Sequence, residues 1–166
     1  LGDKSRERLE VVLNSGKSRM NLINDILDLS KIEAGKMDIR YEDVILDELI
    51  EEVSASITPL VNKRGIGFQV TRNIDTRMLI NTDRAKVTQV LINLLGNAVK
   101  FTDEGNVTLR ISSDDDLLNF EVIDTGIGIS EEDKQLIFEE FRQADGSTTR
   151  KYSGTGLGLA ISKKIS

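Results

Sequence analysis

Two asparagines, Asn93 and Asn97, lie four residues apart in a stretch that otherwise has the pattern of a buried helix. Across Asp83–Thr102 the apolar residues recur every three or four positions, which predicts one packed helical face. Because residues four apart stack on one side of a helix, the two amides share a side. Asparagine favours caps and turns over helix interiors, so the pair needs an explanation. Two explanations stay open: solvated polar side chains, or amide oxygens directed at a metal or a phosphate.

A carboxylate followed by two glycines forms a second group with chemical potential. Asp124 closes an apolar segment, and Gly126 and Gly128 follow it with one residue between them. A carboxylate at a strand end can accept a hydrogen bond from an amine such as the exocyclic amine of adenine. Glycine allows the backbone to approach a ligand closely. Ordinary turns show the same Asp-x-Gly-x-Gly pattern, so it is weak by itself. Residues 130–133 then have a capping-box-like pattern that predicts a short helix.

Three further glycines enter a helix in the run Gly154-Thr155-Gly156-Leu157-Gly158. Glycines at alternate positions of a helix start expose backbone amides to an anion, and the helix dipole adds to the attraction. The run is neither a Walker motif nor the opening of a dinucleotide-binding domain. The preceding residues 142–153 are small, polar and aperiodic, which predicts either a lid or a merely solvated loop. The cations of this loop are Arg142, Arg150 and Lys151.

The composition limits the possible chemistry. The chain has 166 residues, of which 39% are hydrophobic and 30% are charged, as in a soluble globular protein. It contains neither Cys nor His, so a bound metal would be a hard, oxygen-liganded ion such as Mg²⁺ rather than Zn²⁺. A net charge of −6 argues against a nucleic-acid partner. We expect no direct membrane contact, because no apolar run reaches the length of a membrane span and the first residues lack a signal-peptide pattern.

Residues 5–35 are predicted to form one long helix, followed by a left-handed cap at Gly35. A heptad seam runs along it through Leu9, Leu13, Gly16, Met20, Ile23, Leu27, Ser30 and Ala34. Further apolar residues widen this stripe, as a bundle helix requires and a two-stranded coil does not. A homodimer through an intermolecular helical bundle is favoured over a helix that packs on its own domain.

The remaining chain alternates between strands and helices. Residues 36–44 are predicted to include a strand at Met37–Tyr41, and residues 46–63 a helix that Pro59 kinks or restarts, with Leu60 among its inward residues. Further strands are predicted at residues 66–70, 78–80, 106–112 and 117–124. The acidic residues 113–116 are read as a hairpin turn rather than a metal site. This order predicts an α+β fold, a two-layer α/β sandwich with helices on one face of a mixed sheet, preceded by the long helix.

In their order and spacing, these motifs resemble those of the sensor histidine kinases. Asn93…Asn97-Ala98-x-Lys100-Phe101-Thr102 resembles the N box of that family, and Asp124-x-Gly126-x-Gly128 resembles its first glycine box. Phe138 and Phe141 resemble the F box, and the run from Gly154 to Leu159 resembles the second glycine box. Residues 24–35 are similar to the end of the second helix of the dimerisation and phosphoacceptor hairpin. The resemblance covers nearly the whole chain.

The resemblance implies a Bergerat ATP-binding fold over residues 36–166 and the second hairpin helix over residues 1–35. By the same likeness, Asn97 would hold Mg²⁺, Asn93 would support the phosphate side and Lys100 would neutralise phosphate charge. Asp124 would hydrogen-bond the adenine amine. The other residues implied at the ATP site are Gly126, Gly128, Phe141, Arg150, Lys151, Gly154, Thr155, Gly156, Leu157 and Gly158.

A protein-histidine kinase is the implied activity. It would transfer the γ-phosphoryl group of Mg·ATP to a histidine outside this chain, for relay to an aspartate of a response-regulator receiver domain. The implied location is the cytoplasm, with a full-length protein that is either soluble or membrane-anchored. In the family the phosphoacceptor histidine precedes the second hairpin helix, and the fold continues past the second glycine box with further helix and strands. We therefore expect this chain to be a piece of a longer protein, cut at both ends.

Two other functions compete with the kinase. A GHKL-type ATPase that works as a molecular clamp carries a Glu one helical turn before the metal-binding Asn, as the general base for water. Asn93 occupies that position here, and an amide has no useful basicity. The second rival is a nucleotide-binding or dimerisation module without catalysis, which the intact motifs do not favour.

Overall fold

The computed structural model describes residues 3–114 and 117–136, together with Gly158, Leu159 and Ser162. The chain divides into two compact units, residues 1–38 and residues 39–166. The elements in chain order are α1 (Asp3–Glu33), β1 (Glu42–Ile45), α2 (Leu46–Arg64), β2 (Gly67–Arg72), β3 (Leu79–Thr82), α3 (Arg84–Phe101), β4 (Asn106–Asp114), β5 (Leu117–Asp124) and α4 (Glu131–Leu136).

Helix α1 forms the first unit and ends as predicted. Gly35 has φ = 64°, the left-handed conformation that glycine adopts without penalty. Its N–H donates to the Ile32 carbonyl at 3.0 Å, and the Lys36 N–H donates to the Lys31 carbonyl at 2.8 Å. These two bonds define a Schellman motif, so the predicted cap is confirmed. The large apolar side chains that α1 exposes are Leu9, Val12, Leu13, Met20, Ile23, Ile26 and Leu27.

Helix α2 contributes one apolar face to the core of the second unit. It buries one stripe, consisting of Leu46, Leu49, Ile50, Val53, Ile57 and Val61. The helix runs continuously through Pro59, so of the two predicted alternatives the restart does not occur, and the kink stays a prediction. Proline removes the bond to the carbonyl of Ala55, and both residues lie on the exposed side, where water can satisfy that carbonyl. Leu60 is 46% exposed, so its predicted inward position is wrong.

The strands form two sheets. Strand β4 is central in the larger one, parallel to β2 and antiparallel to β5, while β1 and β3 form a separate antiparallel pair. The mixed sheet predicted from the sequence is therefore present, and it leaves out the β1–β3 pair. Strand β2 extends to Arg72 because its register with β4 continues through the Arg72–Ile111 pair.

The strand predicted at Met37–Tyr41 is absent, and the first strand begins at Glu42. Its partner β3 ends at Thr82, opposite Glu42, because Asp83 already caps α3. The backbone N–H of Arg40 donates to the Asp83 carboxylate at 2.9 Å instead of to a strand. Alternation of apolar and polar residues indicates an extended segment, but a strand also needs a partner.

The helices and the larger sheet enclose one core. Helix α2 packs against α3, β1 and β2, and α3 packs against β4 and β5. Strand β4 supplies Val107, Leu109 and Ile111, each with no exposed surface. Arg110 lies on the opposite face of β4 and pairs with Glu121 at 3.1 Å. A layer of helices on the apolar face of a mixed sheet is the two-layer α+β fold that the sequence predicts.

Candidate functional site

Helix α3 carries the two asparagines and starts at a buried carboxylate. Asp83 is 8% exposed, and its carboxylate accepts the N–H groups of Lys86 at 3.0 Å and Arg40 at 2.9 Å. Burial alone would raise the pKa of Asp83, but these two hydrogen bonds and the Lys86 charge outweigh it, so the pKa lies below its usual value. The carboxylate also complements the positive end of the helix dipole.

Asn93 joins α3 to the second glycine-rich run. Its side-chain amide N–H lies 3.4 Å from the carbonyl oxygen of Gly158 and 3.4 Å from the hydroxyl oxygen of Ser162. A Cβ added to Gly158 would lie 3.6 Å from the Asn93 side chain, so the two elements are in contact. Gly158, predicted at the site, is thus placed beside Asn93. Ser162, which is 3% exposed, is a member of this group that the sequence analysis missed.

Asn97 lies one helical turn after Asn93 and is partly buried. The described part of the chain offers its side chain no hydrogen-bond partner. The neighbouring Ala98 and Val99 belong to the core, so Asn97 stands where the core meets the surface. A partly buried amide with its oxygen uncommitted suits a ligand of a hard cation or of a phosphate-bound water.

Lys100 supplies a cation near the end of α3. Its ammonium nitrogen lies 4.9 Å from the centre of the Phe101 ring. Burial lowers the pKa of Lys100, because the charged form loses part of its hydration. An anionic ligand would compensate for that lost hydration, as the predicted role of Lys100 towards phosphate requires.

Asp124 lies on the helix-facing side of the sheet. It is paired in register with Val107 of β4, whose side chain is fully buried in the core. Directly opposite residues of adjacent strands share a face, so the Asp124 side chain is on the same side as α3. The carboxylate is exposed, and one oxygen accepts the Gly126 N–H at 2.9 Å. Within the described residues this is its one hydrogen bond, which leaves the other oxygen for a ligand.

The carbonyl oxygen of Phe101 connects Asp124 with α3. The N–H of Ile127 donates to this carbonyl at 3.2 Å. A Cβ added to Gly126 would lie only 2.3 Å from the same oxygen, so no residue larger than glycine fits without displacement of the turn or the helix end. The residues around Asp124 therefore rest on the C-terminal end of α3, one turn beyond Asn97. Two motifs that are far apart in sequence meet at this point.

The sequence model of one protein family, described as histidine kinase-, DNA gyrase B-, and HSP90-like ATPase, matches residues 82–166. That match covers α3, the Asp124 turn and the second glycine-rich run.

The chain belongs to this ATPase family.

Curated relatives and solved structures of this ATPase family extend the likeness to the whole chain. The autoinducer 2 sensor kinase/phosphatase LuxQ of Vibrio cholerae is 42% identical over 165 residues, which cover 97% of this chain and 19% of LuxQ. The structure of full-length ShkA in complex with AMPPNP has a TM-score of 0.81 at 31% identity, over 99% of this chain and 34% of that one. The catalytic domain of histidine kinase ThkA has a TM-score of 0.65 at 31% identity, over 76% of this chain and 79% of that one. The chain spans about a fifth of the length of LuxQ.

Thr125, beside Asp124 and Gly126, is a second residue that the sequence analysis missed. Its hydroxyl oxygen accepts the N–H of Asn106 at 3.0 Å, and its own N–H donates to the Asn106 carbonyl at 3.2 Å. Gly105 lies against this hydroxyl with φ = 111°, so the loop before β4 needs a glycine there. Thr125 is the unspecified position in Asp-x-Gly-x-Gly, and its type became informative only once the loop before β4 was seen beside it.

Several predicted site residues of the ATPase domain lie outside the described residues. They are Phe138, Phe141, the segment 142–153 with Arg150 and Lys151, and Gly154, Thr155, Gly156 and Leu157. Gly128 is described, has φ = 71°, and a Cβ added to it would meet nothing within 4 Å. The short helix α4 is capped as predicted, because the Ser130 hydroxyl accepts the Asp133 N–H at 3.1 Å and donates to the Asp133 carboxylate at 2.7 Å.

A groove of about 960 Å³ lies along the N-terminal half of α3 and does not include Asn93, Asn97, Lys100 or Asp124. Lys86, Val90, Leu94, Leu118 and Phe120 are among its lining residues, and none of the four predicted side chains on α3 and β5 lines it. The predicted site residues of α3 and β5 therefore lie outside this groove.

Residues 3–114 and 117–136, with the three described residues beyond them, contain no group of three His, Cys, Asp or Glu side chains that could hold a metal. In that part of the chain, no helix is both long and apolar enough to cross a membrane.

Proposed function

We propose that this chain is the ATP-binding kinase core of a two-component sensor histidine kinase. The observation that carries the proposal is the meeting of two motifs at the Phe101 carbonyl, which brings Asp124 next to the end of the helix that holds Asn97 and Lys100. Asp124, beside the C-terminal end of α3, thereby offers an acceptor for an adenine amine. Asn97 and Lys100, in the last turns of α3, offer groups for the phosphates. Family membership and the AMPPNP bound to the ShkA relative support ATP as the ligand.

The described residues have separate parts in nucleotide binding. Asp124 accepts the exocyclic amine of adenine with its free carboxylate oxygen, while Gly126 and Gly128 keep the turn close to the base. Lys100 neutralises phosphate charge. Asn93 holds Gly158 of the second glycine-rich run against α3, and by resemblance the backbone amides of that run would face the phosphates. By resemblance, Phe141, Arg150, Lys151, Gly154, Thr155, Gly156 and Leu157 complete the site.

The residues also fit a magnesium ion bound together with the nucleotide. Asn97 is the residue that would hold it, through a neutral amide oxygen. Since the described part of the chain contains no group of three carboxylates that could hold a metal, further ligands would come from phosphate oxygens and water. When bound, the ion supplies neutralisation of charge on the transferred phosphoryl group.

The phosphoryl acceptor is a histidine outside these 166 residues, because the sequence contains no His. Transfer breaks the bond between the γ-phosphorus and the bridging oxygen of ATP and forms a bond between that phosphorus and an imidazole nitrogen. ADP is the leaving group. Water competes poorly, because the position of a hydrolytic base is held by Asn93, whose amide donates towards Gly158. This argues against an ATPase clamp as the main activity.

The partners follow from the same proposal. Residues 1–35 act as the second helix of the dimerisation and phosphoacceptor hairpin, with a homodimer formed through a helical bundle. The exposed apolar side chains of α1 support this role. An aspartate of a response-regulator receiver domain then accepts the phosphoryl group. The transfer takes place in the cytoplasm. Both the receiver domain and the location rest on the resemblance to sensor histidine kinases.

The first test is Mg·ATP binding by titration calorimetry, with Asn97→Ala beside Asn119→Ala. Asn97→Ala should weaken Mg·ATP binding by about tenfold or more, the effect of one lost interaction with a charged ligand. Asn119 is exposed on the polar face of β5, so its variant should bind normally. Equal affinities for the two variants would remove Asn97 from the metal site.

The second test is incubation with γ-labelled ATP, with and without a hairpin that carries the phosphoacceptor histidine. The chain alone should release phosphate very slowly, and the added hairpin should become labelled with an acid-labile phosphate. Rapid phosphate release by the chain alone would favour the ATPase clamp and contradict the kinase.

A further inference from the structure

Arg64 links the last turn of α2 to the end of α3. One guanidinium nitrogen, Nη2, donates to the carbonyl oxygen of Lys100 at 2.6 Å. The other, Nη1, donates to the Asp103 carboxylate at 2.8 Å. A single planar group therefore holds both the final turn of α3 and the loop that follows it.

This contact lies next to the meeting point of the two nucleotide motifs. The last four carbonyl groups of a helix have no partners within the helix. In α3, the carbonyl of Lys100 is taken by Arg64 and the next one, of Phe101, is taken by the N–H of Ile127. The end of α3 is thus fixed from one side by α2 and from another by the Asp124 turn. A cation at a helix C-terminus also complements the dipole.

We propose that Arg64 is a positioning residue of the nucleotide site. It holds the end of α3 in place so that the Lys100 side chain and the Asp124 turn keep the separation that one nucleotide spans. The inference rests on the proposed ATP binding, to which it adds a residue outside the four sequence motifs. Arg64 acts through the Lys100 and Phe101 carbonyls and is not itself a ligand of the nucleotide.

The planar fork of arginine explains why this residue type is needed. Guanidinium presents donors in a fixed geometry that can serve a carboxylate and a carbonyl together. Lysine would bring the same charge as a single point, without the fixed fork that aims one donor at each acceptor. If the role were only that of a surface ion pair, it would contribute little, because such pairs are weak in water. The carbonyl bond to Lys100 separates the two possibilities.

The test compares four variants of the whole chain: Arg64→Met, Arg64→Lys, Asp103→Asn and Arg110→Met. Arg110→Met is the matched control, since Arg110 also pairs with a carboxylate at 3.1 Å but lies on the polar face of the sheet. Asp103→Asn removes the ion pair and leaves the bond to the Lys100 carbonyl. Two readouts are used: Mg·ATP affinity by calorimetry, and amide hydrogen exchange of Ile127 relative to Leu109 in the central strand.

Arg64→Met should weaken Mg·ATP binding by about tenfold, the factor that 1.4 kcal/mol represents. It should also speed exchange at Ile127 more than at Leu109, because the Phe101 carbonyl loses its fixed position, whereas a general loss of stability would affect both amides alike. Arg64→Lys should show a smaller effect in the same direction, and Asp103→Asn and Arg110→Met should resemble the wild type.

Wild-type affinity and wild-type relative exchange in Arg64→Met would overturn the inference while leaving ATP binding intact. If Arg64→Met does not fold, Arg64→Lys decides in the same way, because it keeps the charge and loses the fork. A wild-type chain that fails to bind Mg·ATP would instead refute the proposed function. In that case the exchange at Ile127 still shows whether Arg64 fixes the turn.

Discussion

Replacement of Gly126 by alanine tests whether the nucleotide site depends on close contact between the Asp124 turn and α3. The added Cβ would stand 2.3 Å from the Phe101 carbonyl oxygen, 2.9 Å from its carbon and 2.9 Å from the Asp124 carboxylate. Ordinary contacts of a Cβ begin near 3.4 Å. Two of the three neighbours are backbone atoms of a helix end, which cannot rotate away. The turn must therefore move by roughly 1 Å.

The magnitude follows from what that movement breaks. A shift of this size would take the 3.2 Å bond between the Ile127 N–H and the Phe101 carbonyl beyond hydrogen-bonding distance. One lost hydrogen bond costs about 1 kcal/mol, and overpacking adds about 1–3 kcal/mol. We expect the free energy of unfolding to fall by about 2–4 kcal/mol. The carboxylate of Asp124 would move with the turn, so Mg·ATP should bind about tenfold more weakly or worse.

The assay is urea unfolding together with calorimetric titration of Mg·ATP, with Gly96→Ala as the control. Gly96 lies inside α3, and a Cβ there would meet nothing within 4 Å. Because alanine favours helix over glycine, this variant should be more stable by about 0.5–1 kcal/mol. If Gly126→Ala loses less than about 0.5 kcal/mol and binds Mg·ATP within about twofold of the wild type, the close contact is not required and the reasoning fails.

The remaining predictions concern two carboxylates, Asp124 and Asp83, and one exposed apolar residue, Leu27. Asp124→Asn should weaken ATP binding by about 1–3 kcal/mol and reduce the preference for ATP over GTP, both measured by calorimetry; a retained preference would leave Asp124 as a strand end only. Asp83→Asn keeps a capping side chain but removes its charge. Because the folded-state pKa of Asp83 is lowered, its charge stabilises the fold above the unfolded-state pKa of about 3.9, and this contribution is lost as the pH falls through the folded-state value. In urea unfolding from neutral to acidic pH, the wild type should have the larger free energy of unfolding at neutral pH, and its difference from Asp83→Asn should shrink in acid. A difference that does not change with pH would contradict this role of the charge. Leu27→Asp, at a position that is 52% exposed on α1, should abolish self-association in light scattering, whereas a wild-type chain that is already strictly monomeric would remove the predicted seam.

Local signals in the sequence predicted most of the elements correctly. The helix end at Gly35 and the capping box at Ser130 both depend on groups within a few residues of one another. Such interactions are encoded by nearest neighbours along the chain, so they can be read without the fold. The motif order likewise indicated the ATPase family before any geometry was known.

Predictions that depended on a partner elsewhere were less successful. Met37–Tyr41 alternates like a strand, but its backbone finds Asp83 instead of a neighbouring strand. Leu60 fits the apolar period of α2, yet it lies where no other element covers that helix in the described residues. Leu60 was correctly placed in a helix, whereas Met37–Tyr41 was wrongly assigned to a strand, and in both cases other segments decided the environment.

The sequence by itself determined the residue types of the site, their order and the helix that carries Asn93, Asn97 and Lys100. Only the tertiary structure showed that Arg64 reaches the Lys100 carbonyl across 36 positions, and that Asn93 meets Gly158 across 65. The Arg64 contact depends on how α2 packs on α3, and the Phe101 contact depends on how β5 pairs with β4. Packing and register are set by the whole core at once, because every buried side chain must fit simultaneously. Spacing along the chain carries no direct record of such distances, so the point where the two nucleotide motifs meet could be seen only in the folded protein.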